Sequence, residues 1–225
     1  MPGRRHKLTT ETWRRGHPLG RDFFARPTLE VARDLLGTLL VHELPQGPRV
    51  GRVVETEAYV GPDDLGSHAH RGRTARNWPM FGPPGHAYVY LIYGMHTCLN
   101  IVTEAEGHPA AVLLRALEPV AGLPGPASGP GRLCRAMAID RRCNGADMTV
   151  PPLYFLNGDS PIEAERIVSG PRVGIEYAGE WAARPWRFWI ADSPAVSRRA
   201  SPRVPKGTLE GVSPQPARKR VKDIP

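Results

Sequence analysis

Apolar and polar residues alternate with a period of two along Arg52-Val-Val-Glu-Thr-Glu-Ala-Tyr-Val60, and Gly61-Pro62 closes the run. That period, with the Val, Thr and Tyr content, predicts a β-strand. Side chains on a strand point alternately to its two faces. Val54, Thr56, Ala58 and Val60 therefore form a core face, and Glu55, Glu57 and Tyr59 share the other. Similar runs predict strands over 38–44, 49–60, 87–93, 97–103, 110–117, 172–176 and 186–191. Helical spacing is confined to two short stretches. Over Thr28–Leu36 the stripe is Val31, Leu35 and Leu36, with Thr28 as N-cap and Gly37 at the end. Over 131–139, Leu133, Ala136 and Met137 face inward. Pro45-Gln-Gly-Pro48 turns the first strand onto the second, and Gly94-Met95-His96 turns the third onto the fourth. Successive short strands with few helices predict an α+β fold, a single compact domain built on a largely antiparallel sheet. The Gly-, Pro-, His- and Arg-rich stretch 61–86 is too long for a passive connection, and is either functional or disordered.

The length of 225 residues suits one well-filled core. No run approaches the roughly 18 apolar residues of a membrane span, and the N-terminus lacks the apolar segment of a signal peptide. The expected location is the cytoplasm, or the nucleus of a cell that has one. Cys98, Cys134 and Cys143 are odd in number and form no CxxC pair, which suits a reducing compartment and packing roles. The net charge of +8 is unevenly placed: residues 1–17 carry +4 and residues 198–225 carry +6, leaving the body at −2. The expected organisation is a basic, poorly ordered arm (1–17), one domain (18–195) and a basic, Pro-rich, disordered tail (196–225). The arms are solubilising or add salt-sensitive affinity for DNA. Lys7, Lys206, Lys219 and Lys222 all lie in them, so the body has no lysine amine for Schiff-base chemistry.

Three constellations carry candidate chemistry. Arg115 interrupts the apolar run Ala110-Ala-Val-Leu-Leu-Arg-Ala-Leu117. It either reaches solvent from an edge strand or is buried against an anion, and strand 52–60 offers carboxylates. An Arg–Glu pair would keep the glutamate ionised, as a general base must be. On Ala87-Tyr-Val-Tyr-Leu-Ile-Tyr-Gly94, Tyr88 and Tyr90 share a face. Tyr93 sits at the hairpin tip, a position suited to a wedge in a base stack. The loop His68-Ala-His-Arg-Gly-Arg-Thr-Ala-Arg76 suits phosphate contacts through its arginines, and a His-x-His pair alone is a thin metal signal. Nucleotide-binding glycine motifs and GxSxG are absent from the sequence.

Five segments, in order, resemble the alkyladenine (3-methyladenine) DNA glycosylase family. They are Gly51-Arg-Val-Val-Glu-Thr-Glu-Ala-Tyr-Val-Gly-Pro62, Ala87-Tyr-Val-Tyr-Leu-Ile-Tyr-Gly-Met95, Val112-Leu-Leu-Arg-Ala-Leu-Glu-Pro119, Ser128-Gly-Pro-Gly-Arg-Leu-Cys134 and Arg172-Val-Gly-Ile-Glu-Tyr-Ala-Gly-Glu-Trp181. The resemblance spans roughly residues 25–195 and implies one domain with a curved antiparallel sheet and a monomeric, monofunctional glycosylase that needs no cofactor. By resemblance Glu57, rather than Glu55, is the base that activates water, and Arg115 and the carbonyl of Val173 help to hold that water. Tyr59, His68 and Tyr90 would receive the flipped base, Asn100 would reject guanine's 2-amino group, and Tyr93 would fill the gap in the duplex. The implied partner is double-stranded DNA containing damaged purines, with no membrane and no obligate protein partner.

The sequence departs from the family pattern at His96, in the short segment 120–130, and in the tail from 196. Two rival readings are a metal-dependent nuclease using His68, His70 and Asp63 or Asp64, and a non-catalytic DNA-binding module whose acidic strand is merely solvated.

Overall fold

A computed structural model describes residues 12–158 and 162–197. Residues 1–11 and those beyond Ser197 lie outside the described residues, and so does most of what was expected of the arm and the tail. Within the expected arm, Thr12–Arg15 form a 3₁₀ turn and Trp13 is buried in the cluster of Leu39, Val41 and Tyr154. Nine strands form one sheet among the described residues: β1 (Leu39–His42), β2 (Arg49–Tyr59), β3 (Ala87–Ile92), β4 (His96–Thr103), β5 (Ala110–Ala121), β6 (Ala127–Ser128), β7 (Leu153–Leu156), β8 (Ile167–Gly170) and β9 (Arg187–Ile190). Every pairing is antiparallel, and the main order is β3-β4-β5-β2-β1-β7. The four short helices are α1 (Arg21–Phe24), α2 (Thr28–Asp34), α3 (Pro130–Ala136) and α4 (Glu180–Ala183). The architecture is α+β, as the pattern predicts.

Strand β2 organises the sheet. One edge pairs with β5, while the other pairs first with β1 through Arg49–Arg52 and then with β9 through Glu55–Glu57. Two register shifts flank Glu55. Val53 faces Leu117, Glu55 faces Ala116 and Thr56 faces Leu114, which leaves Val54 and Arg115 without a place in the ladder. Such bulges bend a strand and re-aim side chains, and here one of them frees Arg115.

The period-two pattern divides the sheet into two buried faces. Leu40, Val54, Ala58, Val89, Leu99, Ile101, Val112 and Leu114 pack with α2 and α3 residues such as Val31, Ala32, Leu133 and Met137 in the main core. The opposite face carries smaller clusters, one around Leu39, Val41 and Tyr154 and another around Met80, Tyr88 and Val102. Glu55, Glu57 and Tyr59 lie on a covered surface, and both glutamates are fully buried. The solvated-strand reading therefore fails.

Other expectations need correction. Thr28 is the first helical residue rather than the N-cap, and its backbone N–H and hydroxyl both bind the Glu104 carboxylate. Residues 172–176 do not form a strand: the Val173 N–H donates to a side chain instead of a ladder partner, Gly174 turns through a φ of +80°, and a 3₁₀ turn follows at Glu176–Ala178. Strands β6, β7 and β8 were not anticipated; they are only two to four residues long. The segment 120–130 is partly strand, because β5 runs to Ala121 and β6 returns against it. The stretch 61–86 is ordered. Asn77, almost fully buried, accepts from Thr74 and donates to the carbonyls of His68 and Gly72, closing the loop on itself.

At the end of β5, Gly122 adopts a φ of +66°, and a Cβ there would sit 2.2 Å from the Pro48 carbonyl oxygen. Backbone cannot retreat as a side-chain tip can, so Gly122→Ala should lower stability by about 1–3 kcal/mol. Urea unfolding should show a lower midpoint with an unchanged slope.

Candidate active site

Glu57 and Arg115 meet where β2 and β5 pair. The side chain freed by the β5 bulge spans both glutamates: its Nε donates to Glu55 Oε1 at 2.9 Å, and its Nη1 lies 3.2 Å from Glu57 Oε1. The edge-strand alternative for Arg115 is excluded, since it is only 6% exposed. Glu57 has two further donors. The Val173 N–H reaches Oε1 at 2.8 Å and the Tyr59 hydroxyl reaches Oε2 at 3.0 Å.

These contacts set the charge of the site. Burial pushes the Glu57 carboxyl above its ordinary range, against the opposing pull of Arg115, the Val173 amide and Tyr59, while Glu55 adds to the rise. Burial also drives the Tyr59 phenol well above its usual value, with the Glu57 charge adding to it, so Tyr59 remains a neutral donor. Glu55 is spent elsewhere: Arg115, Arg187 and the backbone and hydroxyl of Ser197 all donate to it.

In front of the pair opens a cavity of about 130 Å³ whose walls include Tyr59, His68, Tyr90, Asn100, Arg115 and Val173. Glu57 itself lies behind this wall and is fully covered by its partners. His68 is edge-on to Tyr90, with ring centroids 4.6 Å apart, and its Nδ1 is 2.9 Å from the Tyr88 hydroxyl. His68 is exposed, yet surrounding protein atoms and the Arg76 charge hold its pKa below the ordinary value. Asn100 is buried, and its Nδ2 donates to the Tyr88 carbonyl at 3.0 Å.

Of the residues given a role by the family resemblance, Tyr93 alone stands outside this cluster. It occupies the β3–β4 turn at a φ of +52°, is 85% exposed, and is followed two residues later by the similarly exposed Met95. His96, a departure from the family pattern, begins β4 and lies beside Gly131 of α3.

A second ion pair escaped the sequence reading. Arg172 donates to both Asp64 oxygens, at 2.5 and 2.7 Å, and to the Ala58 carbonyl at 2.9 Å; both side chains are fully buried. The guanidinium lies over the rings of Tyr59, at 4.7 Å, and Trp186, at 5.1 Å. Arg172 thus holds Tyr59 from above and fixes the backbone just before Val173. The signal that singled out Arg115, a permanent cation among apolar residues, was equally present at Arg172 and at Arg187 in β9. Asp64 also accepts from the N–H groups of Val60 and Gly66. The nuclease reading loses Asp64, one of its two candidate carboxylates, to this pairing, and the described residues hold no group of three or more His, Cys, Asp or Glu side chains placed to bind a metal.

Fold and site define a class: an α+β protein with a pair of buried glutamates bound by an arginine behind an aromatic cavity. Comparison with known proteins gives the family. The profile of the methylpurine-DNA glycosylase family matches residues 22–194. A relative from Methanocella arvoryzae is 56% identical over 196 residues, covering 81% of this chain and 96% of its own. One from Myxococcus xanthus is 53% identical over 187 residues, covering 82% and 95%. One from Streptomyces avermitilis is 49% identical over 196 residues, covering 80% and 91%. Each carries the name "Putative 3-methyladenine DNA glycosylase". The chain belongs to the methylpurine-DNA glycosylase family, and as such is an N-glycosyl hydrolase.

Removing one member of a buried ion pair strands the other. Asp64→Ala should therefore cost about 3–5 kcal/mol of stability, measured by denaturant unfolding. Asp64→Ala combined with Arg172→Met should recover part of that loss, because the orphaned charge is gone.

Proposed function

We propose that the protein flips a damaged purine out of duplex DNA into the cavity and hydrolyses its N-glycosidic bond, leaving an abasic site. The observation that carries this reading is the Glu57 carboxylate, held by Arg115, Val173 and Tyr59 directly behind an aromatic cavity. In its ionised form Glu57 takes a proton from water, and its charge stabilises the oxocarbenium-like sugar as the bond breaks. Arg115 favours that ionised form, and the Val173 segment positions the water.

Glycoside hydrolases commonly use two carboxylates, one of them to protonate the leaving group. Glu55 is not available for that task, because its oxygens are taken by donors from Arg115, Arg187 and Ser197 and it does not line the cavity. A purine alkylated at N3 or N7 already carries positive charge and leaves without that help. The site therefore suits 3-methyladenine and 7-methylguanine, while neutral hypoxanthine and ethenoadenine would require acid assistance. Tyr59, His68 and Tyr90 supply stacking surfaces and a hydrogen-bonding edge. Asn100 cannot swing aside while the Tyr88 carbonyl holds its amide, so the 2-amino group of guanine or 7-methylguanine meets a fixed side chain, which ranks 7-methylguanine below 3-methyladenine and excludes the neutral, poorly leaving guanine. With no lysine in the body, hydrolysis ends at the abasic site without a lyase step. The substrate is damaged double-stranded DNA. No helix among the described residues is long and apolar enough to cross a membrane.

The test is single-turnover excision from duplexes carrying one lesion each, in chelator, with and without alkali. Strand breaks should appear only after alkali, and Glu57→Gln should lower the rate by a factor of about 10² or more while still binding DNA. A strand nick without alkali, or a fully active Glu57→Gln, would defeat the proposal. The pH dependence has a fixed sign. Glu57 works only when ionised and burial raises its pKa, so the rate should climb with pH through a value above the ordinary carboxylate range and then level.

Tyr93 offers a separate check. Because it is 85% exposed, Tyr93→Ala should leave the melting temperature unchanged. It should slow excision of a well-stacked lesion more than of one in a mismatched pair, which costs less to unstack.

A further inference from the structure

Beyond β9 the chain does not leave the domain at once. Asp192 turns at a φ of +62°, the Ser193 hydroxyl donates to Glu118 on β5 at 2.7 Å, and the Ala195 N–H donates back to Ser193 at 3.3 Å. This anchored turn delivers Ser197 to the buried ion cluster. Its N–H donates to Glu55 Oε2 at 2.6 Å and its hydroxyl lies 3.0 Å from Glu55 Oε1 and 3.1 Å from Arg115 Nη2. The proton arrangement is forced: a guanidinium only donates and a carboxylate only accepts, so the hydroxyl takes a hydrogen bond from Arg115 and gives one to Glu55.

Resting on the glycosylase reading above, we propose that Ser197 is a positioning residue for the reaction: through its hydroxyl it fixes Arg115 in the orientation that serves Glu57. Arg115 has three nitrogens with different tasks. Nε is held by Glu55, Nη2 by Ser197, and Nη1 is left for Glu57. A guanidinium anchored at two corners presents the third in a fixed direction. Without the Ser197 hydroxyl, Nη2 loses its acceptor and Glu55 loses a donor, so Glu55 competes more strongly for Arg115 and repels Glu57 more. Both changes disfavour the ionised base.

The groups facing Glu57 are Arg115 from β5, Glu55 and Tyr59 from β2, Tyr90 from β3, Cys98 from β4 and the Val173 amide. Arg187 from β9 faces Glu55. Arg115 is the cation of this set whose Nη1 reaches Glu57, so its orientation controls the carboxylate. This role is invisible in strand patterning, because Ser197 lies past the last strand, in a stretch read from the sequence as tail.

The experiment compares wild type, Ser197→Ala and Ser197→Thr in single-turnover excision across pH, on duplexes carrying one 3-methyladenine or one 7-methylguanine, with DNA affinity and melting temperature measured alongside. For Ser197→Ala the plateau rate should fall roughly tenfold, the scale of one charge-assisted hydrogen bond, and the acid limb should move to higher pH. DNA affinity and melting temperature should hold, and Ser197→Thr, which keeps the hydroxyl, should restore both rate and limb. An active wild type with a Ser197→Ala profile superimposed on it overturns the proposal. So does a defect confined to DNA affinity, or a slower Ser197→Ala and Ser197→Thr pair with lowered melting temperatures and an unmoved acid limb. A wild type inactive on every duplex removes the glycosylase reading, and the positioning role with it.

Discussion

Everything at this site depends on a guanidinium that cannot lose its charge in a place almost closed to water. Arg115 is buried in the middle of a nine-stranded sheet, on a strand that is otherwise apolar. A bare cation there would cost several kcal/mol, so the fold must supply anions and acceptors at fixed points around it. Glu55 and Glu57 do so from β2, and the register shifts of the β2–β5 ladder create the room. The Gly129 N–H donates to the Arg115 carbonyl at 2.9 Å, meeting the backbone demand of the bulged residue. Bulge, ion pair and carboxylate form one unit, since none is tolerable in a sheet centre without the others.

That unit leaves Glu57 in a deliberate tension. Full burial opposes ionisation, while three donors favour it, and burial prevails in direction. A solvent-exposed carboxylate would be ionised but weakly basic, and its charge would be screened by water. The shielded one is more basic, and its field on the cavity in front of it is stronger because little water intervenes. The neighbouring Glu55 contributes through Arg115 and by repulsion. Two glutamates two residues apart on one face of a strand thus have different jobs, set by which donors each one meets.

Much of this was legible in the sequence because it rests on local periodicity. The Glu55–Glu57–Tyr59 face, the Tyr-rich hairpin and the Arg115 strand all follow from the two-residue alternation, and their strands lie where the pattern puts them. What failed had non-local causes. Residues 172–176 look extended and apolar, but the Val173 N–H is drawn out of any ladder by Glu57, 116 residues away in sequence. The Asp64–Arg172 pair joins a loop to a segment 108 residues later, a match that no spacing rule reports. Thr28 has the chemistry of a cap, and was displaced from that role by Glu104, which reaches the helix start from the end of β4. Periodicity identifies a face of a strand; it does not say which distant group will cover that face.

The two buried ion pairs have a common consequence for Glu57. Its three donors are Arg115, the Val173 amide and the Tyr59 hydroxyl. Arg115 is held by Glu55. Val173 follows Arg172, which Asp64 grips with both oxygens, and Tyr59 lies beneath the same guanidinium. Every contact to the carboxylate therefore traces back to an arginine already locked by another acid. Buried pairs of this kind add little net stability compared with a well-packed apolar substitute, because desolvation cancels most of the attraction. Their return lies in geometry: a bidentate guanidinium–carboxylate pair tolerates little displacement, and a general base must sit within hydrogen-bonding reach of its water to work. A protein selected for stability alone would gain little from placing two such pairs around one glutamate. One that presents an ionised, shielded carboxylate to a flipped base, the role proposed for this site, has reason to keep both.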